Sequence, residues 1–338
     1  IMNLGGGARV RRFTAAILIL LLAMFTLTGC GKSEEKDQKQ ITVRIATDLN
    51  ENDAAYRQLK RFAAKAKEAS EGEIKVKLYP EAKWDSNDSL LAYLDTGALE
   101  MVCLRTDRLT AEVPEYALYS YPSLFSDAGA VSSYALSDSG RQALAMSKNY
   151  HLLGFTANGY SYFLHRFWAE NYANYRGRSF YAELADTTAS ALDGLGIRVI
   201  NEENSTPGMN HILTEGELDY LLQVNVINES DYITDPNVYY NLEITAVSPL
   251  FWQKLSDDEQ NILTEAFNNA LKEECAYQKD RSLKEILPEG GAGFIPWSTE
   301  NKQTAYQALR YLSENYIMSS QNALGSYFMP TAATEEGM

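Results

Sequence analysis

The side chains best suited to move protons near neutral pH are His151, His165 and His211, and they stand far apart with no metal-ligand spacing between them. No Gly-x-Ser-x-Gly elbow, phosphate loop, Cys-x-x-Cys pair or His-Glu-x-x-His helix occurs. Gly290-Gly291-Ala292-Gly293 lacks the Gly-x-Gly-x-x-Gly spacing and follows helical sequence, so it reads as a loop and not as a dinucleotide site. Acids are abundant, 45 against 30 lysines and arginines, and on so acidic a chain neighbouring carboxylates read mostly as solvated faces. Nothing in this inventory asks for an enzyme or a cofactor.

The first thirty residues carry a different chemistry. Arg9, Arg11 and Arg12 precede a run of mostly apolar residues from Ala15 to Leu27, too short for a membrane span and suited to a signal-peptide core. The run ends in Leu27-Thr28-Gly29-Cys30, which resembles the lipobox of bacterial lipoproteins and implies lipid on Cys30 after cleavage of residues 1–29. Residues 30–40 then form a polar stretch with nothing to bury, which reads as a tether holding the folded part off the membrane. Cleavage removes three arginines and no acids, taking the formal charge from −15 to −18. That charge argues against a nucleic-acid partner while leaving room for a locally positive pocket. Cys103 and Cys275 sit in apolar or helical surroundings and read as two independent buried thiols, with a disulfide as the alternative. The ~300 residues after the tether suit two domains.

The elements that would position a site follow from periodicity. Ile41 to Thr47 alternates as a half-buried strand, and Asp53 is placed to cap a helix whose apolar face is Tyr56, Leu59, Phe62, Ala63 and Ala66. Ile74, Val76 and Leu78 alternate as a second strand, a helix covers Ser89 to Leu94, and Leu99 to Leu104 is a third strand. That order predicts a parallel sheet with covering helices, hence an α/β fold. Leu152 to Thr156 and the segment around Ile197 read as further strands, while Asn171 to Ala191 shows no regular period. Ser256-Asp-Asp-Glu259 is a capping box before a long amphipathic helix, and a last helix is expected over Thr299 to Tyr316.

Several of these segments together resemble the solute receptors of TRAP transporters. They are Val43-Arg-Ile-Ala-Thr47, Gly72-Glu-Ile-Lys-Val-Lys-Leu-Tyr-Pro80, Thr96-Gly-Ala-Leu-Glu-Met-Val102, Tyr121-Pro-Ser-Leu-Phe-Ser-Asp127, Gly194-Leu-Gly-Ile-Arg-Val199 and Phe251 to Leu263, in the family's order and spacing. The resemblance covers most of residues 41–310. It implies a two-lobed periplasmic-binding-protein-like fold with a hinge and a bracing C-terminal helix: lobe 1 over 41–155, a divergent lobe 2 over 156–250, and bracing helices over 251–338.

It also implies a function. The family catches a small organic acid between lobes and delivers it to a membrane permease; the partners are then that acid, TRAP-type permease subunits and, through Cys30, the membrane, placing the chain outside the cytoplasm. An arginine forks onto the ligand's carboxylate, two parallel donors meeting two oxygens with competing water shut out. Arg198 stands at the family's arginine position. Asp48, after the first strand, and Arg105, after the third, are further ligand candidates, as are Tyr160 and Ser161, which align where many members carry another arginine. The sequence departs from the pattern after Arg198, where it is shorter and where Glu215-Gly-Glu-Leu-Asp-Tyr220 replaces an expected Gly-x-Val-Asp-Gly. The alternative function is a receptor-like lipoprotein without a transport role, presenting ligand or a surface to a sensor protein.

Overall fold

Ile41–Thr47 forms β1, and its alternation is used in full: Val43 and Ile45 are buried on one face and Ala46 on the other. The first face is covered by α1 (Ala54–Ala69) through Ala55, Leu59, Phe62 and Ala66. Next come β2 (Ile74–Tyr79), α2 (Asn87–Asp95), whose Leu90 and Leu94 cover the second face, and β3 (Met101–Arg105). Two 3-10 turns, Thr106–Leu109 and Pro114–Ser120, lead to α3 (Ala128–Ala135) and α4 (Asp138–Leu144). The chain continues through β4 (His151–Tyr160), β5 (Tyr162–His165), β6 (Arg178–Tyr181), α5 (Asp186–Gly194), β7 (Ile197–Ile200), β8 (His211–Leu213), α6 (Glu215–Gln223), β9 (Tyr232–Thr234) and β10 (Tyr240–Val247). It closes with α7 (Pro249–Trp252), α8 (Asp257–Asp280), β11 (Gly293–Phe294), α9 (Thr299–Ser320) and α10 (Gly325–Phe328). This computed structural model describes residues 40–81, 87–200, 210–236, 239–281, 284, 287 and 292–329. Cys30 and the tether to residue 39, Thr206-Pro207 and Glu289 to Gly291 lie outside the described residues.

The strands build two sheets, one per lobe. The first has the order β2-β1-β3-β10-β4, with β1 parallel to β2 and β3 and with β10 antiparallel to β3 and β4. The second has the order β11-β9-β5-β8-β6-β7. The chain passes between sheets from β4 to β5, from β9 to β10 and, by way of α7 and α8, from β10 to β11; the first two crossings lie side by side. The crossings are stitched together: Ser161 N donates to the Tyr239 carbonyl at 3.0 Å, and Asn241 Nδ2 donates to the Gly159 carbonyl at 3.0 Å and to Ser161 Oγ at 3.1 Å. Two neighbouring strands that cross a lobe boundary side by side are the simplest hinge a chain can make.

Each lobe has its own core. Val43, Ile45, Phe62 and Phe267 fill one side of the first sheet, with the two phenyl rings edge to face at 5.3 Å. Gly154 of β4 is required there, since a Cβ on it would stand 2.8 Å from the Phe267 ring. The other side holds the tyrosines of the Pro114–Ser120 turn. Tyr116 donates to the Ala143 carbonyl at 2.7 Å, and the Tyr119 and Tyr134 hydroxyls meet at 2.6 Å, so these rings are core and not ligand platforms. Phe163, Tyr175, Phe180, Ile197 and Trp297 form the core of the second lobe. α9 serves both lobes: Ala305 and Leu309 pack into the second-lobe core, Ile317 into the first. The capping box at Ser256 is present, with Ser256 Oγ accepting from Glu259 N at 3.3 Å and Glu259 accepting from Ser256 N at 2.6 Å. Cys103 and Cys275 are buried and unpaired.

Two local expectations need correction. Asp53 occupies the cap position of α1 but makes no capping bond there; instead Asn158 Oδ1, from β4, accepts from Ala55 N at 3.1 Å. The stretch from Asn171 to Ala191 is more regular than its period suggests. It holds a 3-10 turn over Tyr172–Tyr175, then β6, then most of α5, elements too short to establish a period of their own.

Candidate functional site

The first sheet has a topological switch point. β1 pairs with β2 on one side and β3 on the other, and the covering helices α1 and α2 lie on opposite faces. In open α/β sheets ligands bind outside the carboxyl ends of the two strands that diverge at such a point. Asp48 follows β1 and Arg105 ends β3, so two of the sequence-derived candidates stand together there. The register adds a third charged group that the sequence reading missed: Glu243 of β10 lies directly opposite Arg105, with Thr156 of β4 opposite Glu243 on its other side. Its signal was a lone acid inside the apolar run Tyr240 to Val247.

Electrostatics at this edge are set by burial. Glu243 is only 3% exposed, and its Oε1 accepts from Asn158 Nδ2 at 3.3 Å. Burial pushes its carboxyl well above the usual range; the nearby Asp48, Asp53 and Asp107 charges push the same way, and Arg105 opposes them. Arg105 is already engaged: Nε donates to Asp107 Oδ1 at 3.1 Å and Nη2 to Oδ2 at 2.7 Å. A third contact, from Nη1 to Glu183 Oε1 at 3.5 Å, reaches across to the segment after β6 in the second lobe. Asp48 is open to solvent, yet enough protein surrounds it to raise its carboxyl, with Arg105 opposing the rise. Arg105, Asp107, Ser120, Tyr239, Asn241 and Glu243 line a cavity of about 10 Å³.

The remaining candidates lie elsewhere. Ser161 is buried at the lobe crossing, where its Oγ accepts from Asn241. Tyr160 packs edge to face on Tyr240 at 5.0 Å, beside the first-lobe core. Arg198 is exposed in β7 at the edge of the second sheet, opposite Ser179 of β6. Among the described residues its side chain has no ion-pair partner. β6 and β7 are parallel and in register, so the carboxyl end of β7 lies on the same edge as Glu183, which touches Arg105. The histidines are not gathered: His151 stacks on Trp252, His165 is buried and lowered to about 4 by that burial, and His211 lies near the Tyr181 ring.

The lobes also meet around Asp53. Thr214 Oγ1, the cap of α6, donates to Asp53 Oδ1 at 3.4 Å, and Asn50 N donates to Oδ2 at 2.8 Å. Beside it Arg57 of α1 bridges Glu215 of α6 at 2.5 Å and Glu274 of α8 at 2.8 Å, and Arg281 pairs with Glu215 at 3.4 Å and with Asp219. Asp219 and Glu215 belong to the segment that departs from the expected Gly-x-Val-Asp-Gly, so that departure forms part of the lobe contact.

Residues 45–166 match the sequence model of the family described as bacterial extracellular solute-binding protein, family 7. The chain is 23% identical over 281 residues, 80% of each protein, to the C4-dicarboxylate-binding protein DctB of Bacillus subtilis (strain 168). Over this stretch the chain is similar to solute-binding family 7. Its fold is that of solved members despite low identity. A TRAP periplasmic solute binding protein from Ochrobactrum anthropi, with its C-terminus bound in the ligand-binding pocket, superposes with a TM-score of 0.71 at 16% identity, over 86% of this chain and 96% of that one. A second, from Pseudomonas aeruginosa PAO1 with bound L-malate, gives 0.67 at 15% identity over 82% of this chain and all of the other. The two-sheet, two-lobe architecture of this chain is therefore the fold of these solute binding proteins.

One pH effect follows from the lobe contact. Burial is the main cause raising the Asp53 carboxyl to about 7, against 3.8 unperturbed. A carboxyl raised by folding binds its proton more tightly in the folded state, so its contribution is full below pH 4 and is lost as pH climbs through 7. Asp53→Asn is expected to flatten this loss, by on the order of 2–4 kcal/mol between pH 4 and pH 8. Urea unfolding of both proteins at pH 5 and pH 8 checks it. Equal pH slopes would show that Asp53 ionises freely in the folded protein. Glu243 and Glu215, raised in the same direction, keep the variant's slope from reaching zero.

Proposed function

We propose that this chain is a family 7 solute receptor that captures a small organic carboxylate between its two lobes, closes on it, and delivers it to a TRAP-type permease, with lipid on Cys30 holding it at the outer face of the cell membrane. The observation that carries the reading is the Arg105–Glu183 approach: charged groups at the carboxyl ends of β1 and β3 face the carboxyl ends of β6 and β7 across the lobe boundary. Closure over a ligand is then a hinge motion at the β4–β5 and β9–β10 crossings, and ligand binding shifts the chain toward the closed state by as much as it prefers that state. Ligands named for relatives agree in class: the Bacillus subtilis relative is named for C4-dicarboxylates, and solved neighbours hold L-malate and succinate.

In this reading Arg198 is the carboxylate anchor. Its side chain is unpaired among the described residues, whereas Arg105 is held by Asp107 and so acts beside the ligand instead of gripping it. Asp48 belongs to the rim of the site, Ser161 to the hinge, and Tyr160 stiffens the strand that enters it. Losing a charge-assisted contact costs about 1.5–3 kcal/mol, so Arg198→Ala should weaken carboxylate binding about tenfold or more. A thermal-shift screen of mono- and dicarboxylates, sugar acids and amino acids on parent and variant tests it. A ligand that stabilises only the parent supports the reading. One that stabilises both equally removes Arg198 from the site.

A further inference from the structure

The cavity at the switch point has the wrong sign for a purely anionic guest. Of its lining groups one is a guanidinium and two, Asp107 and Glu243, are carboxylates. The guanidinium is already spent on Asp107 through two hydrogen bonds. That leaves Glu243, 97% buried by its 3% exposure, with Oε1 held weakly by Asn158 at 3.3 Å and Oε2 with no hydrogen-bond partner. Neither protonation state resolves this. An ionised Glu243 is a buried charge whose facing cation, Arg105, is already held by Asp107, and a protonated one must find an acceptor for its O–H or leave a bare oxygen; either costs about 1–3 kcal/mol or more. A polar atom so placed, at the edge where the fold receives its ligand, is a recognition group.

We infer that the ligand carries a protonated amine beside its carboxylate, and that the ammonium is received by Glu243 Oε2 in this cavity, with Asp48 alongside it at the rim. The inference rests on the carboxylate reading above, which assigns the other end of the ligand to Arg198. An ammonium offers donors and no acceptor, which is what an unpartnered carboxylate oxygen requires. Its size also fits: the cavity of about 10 Å³ takes one water-sized group, and an ammonium head is of that size. The remainder of the ligand must then occupy space that opens as the lobes part. Two competing guests fit less well. A water satisfies Oε2 but brings no positive charge to a carboxylate whose facing cation, Arg105, is held by Asp107. A metal ion needs several hard ligands, and among the described residues no group of three His, Cys, Asp or Glu side chains could hold one. Tyr239, which also lines the cavity, supplies an aromatic wall compatible with a cation.

The test uses matched pairs: L-aspartate against succinate, 4-aminobutyrate against butyrate, and putrescine as an amine without a carboxylate. Each is titrated by calorimetry and thermal shift into the full chain in mild detergent, and into Glu243→Gln, Asp48→Asn and Arg198→Ala. The amino acids should bind the parent, their desamino partners about tenfold or more weakly, and Glu243→Gln should erase that difference. Glu243→Gln keeps the side chain's shape; should it fail to fold by circular dichroism, the more exposed Asp48→Asn must still reduce the amino-acid preference. Desamino acids binding the parent as well as or better than the amino acids overturn the inference and leave the carboxylate reading standing. Putrescine has no carboxylate for Arg198, so binding that survives Arg198→Ala and dies with Glu243→Gln supports the amine contact, and putrescine binding that Glu243→Gln leaves unchanged counts against it. Silence from every compound on the parent, with a carboxylate without an amine found in the wider screen, overturns the inference and leaves the carboxylate reading standing; silence in both overturns both.

Discussion

Replacing Glu274 by alanine is expected to destabilise the protein by about 3 kcal/mol, the lower end of what breaking a buried ion pair costs. Glu274 sits on α8 with a fully buried side chain, and α8 lies against α1. Its carboxylate accepts from Arg57 Nη2 at 2.8 Å, Arg61 Nε at 3.3 Å and Gln278 Nε2 at 3.3 Å. Both guanidinium groups also lie over the Tyr277 ring, at 4.9 and 5.6 Å, so they cannot swing to water without losing that packing. Truncation therefore takes from Arg61 its ion pair and leaves Arg57 with Glu215 alone. The lower end of the range applies because the Arg57 and Arg61 side chains keep 23% and 29% of their surface exposed, and water screens what remains. Glu265, exposed on the same helix, is the control, and its alanine variant should change stability by no more than about 0.5 kcal/mol. Urea unfolding of the two variants decides it. Equal, small losses would mean that the pairs with Arg57 and Arg61 are solvent-screened and that α8 is held by Phe267, Leu263 and Leu271 alone.

The same network shows where sequence reading runs out. Much of the local structure was legible. The alternation of β1, the apolar stripe of α1 and the Ser256–Glu259 capping box are signals whose parts lie within a few residues, and each is present in the structure. The family resemblance then added the two-lobed architecture, which local pattern alone could not. What was not legible depends on pairings made across the chain. Asn158 caps α1 from 103 residues away, and Asp53, released from that task, turns to the second lobe. Arg57 meets Glu215 at a separation of 158 residues and Glu274 at 217, and neither acid was distinguishable from the many on the surface. Glu243 is opposite Arg105 only because β10 inserts between β3 and β4 in one register; a slip of one residue would turn it into the first-lobe core. The charge that most shapes the candidate site was therefore visible as an anomaly in an apolar strand, while its meaning came from topology.

Gly216→Ala is expected to oppose lobe closure directly, because the glycine measures the distance between the lobes. It lies in the first turn of α6, and a Cβ placed there would stand 2.1 Å from Asp53 Oδ1, 2.6 Å from Asp53 Cα and 2.7 Å from Asp53 N. A side-chain oxygen could rotate away; the backbone at the start of α1 cannot. Within the second lobe alone alanine should be harmless or better, since it is favoured over glycine in a helix by up to about 1 kcal/mol. The cost thus falls on the contact between α6 and α1 and not on either lobe, at about 1–3 kcal/mol for an overpacked seam. If ligand binds the closed form, apparent affinity drops with the fraction of chains able to close, here by between about ten- and a hundredfold. Calorimetry with the ligand found in the carboxylate screen reads the affinity, and small-angle scattering reads the shape. The variant should show a larger radius of gyration, and ligand should restore the parent's value only at correspondingly higher concentration. A variant as compact as the parent, with unchanged affinity, would mean that α1 and α6 yield together without separating the lobes, and that closure is controlled at the Ser161–Asn241 crossing instead.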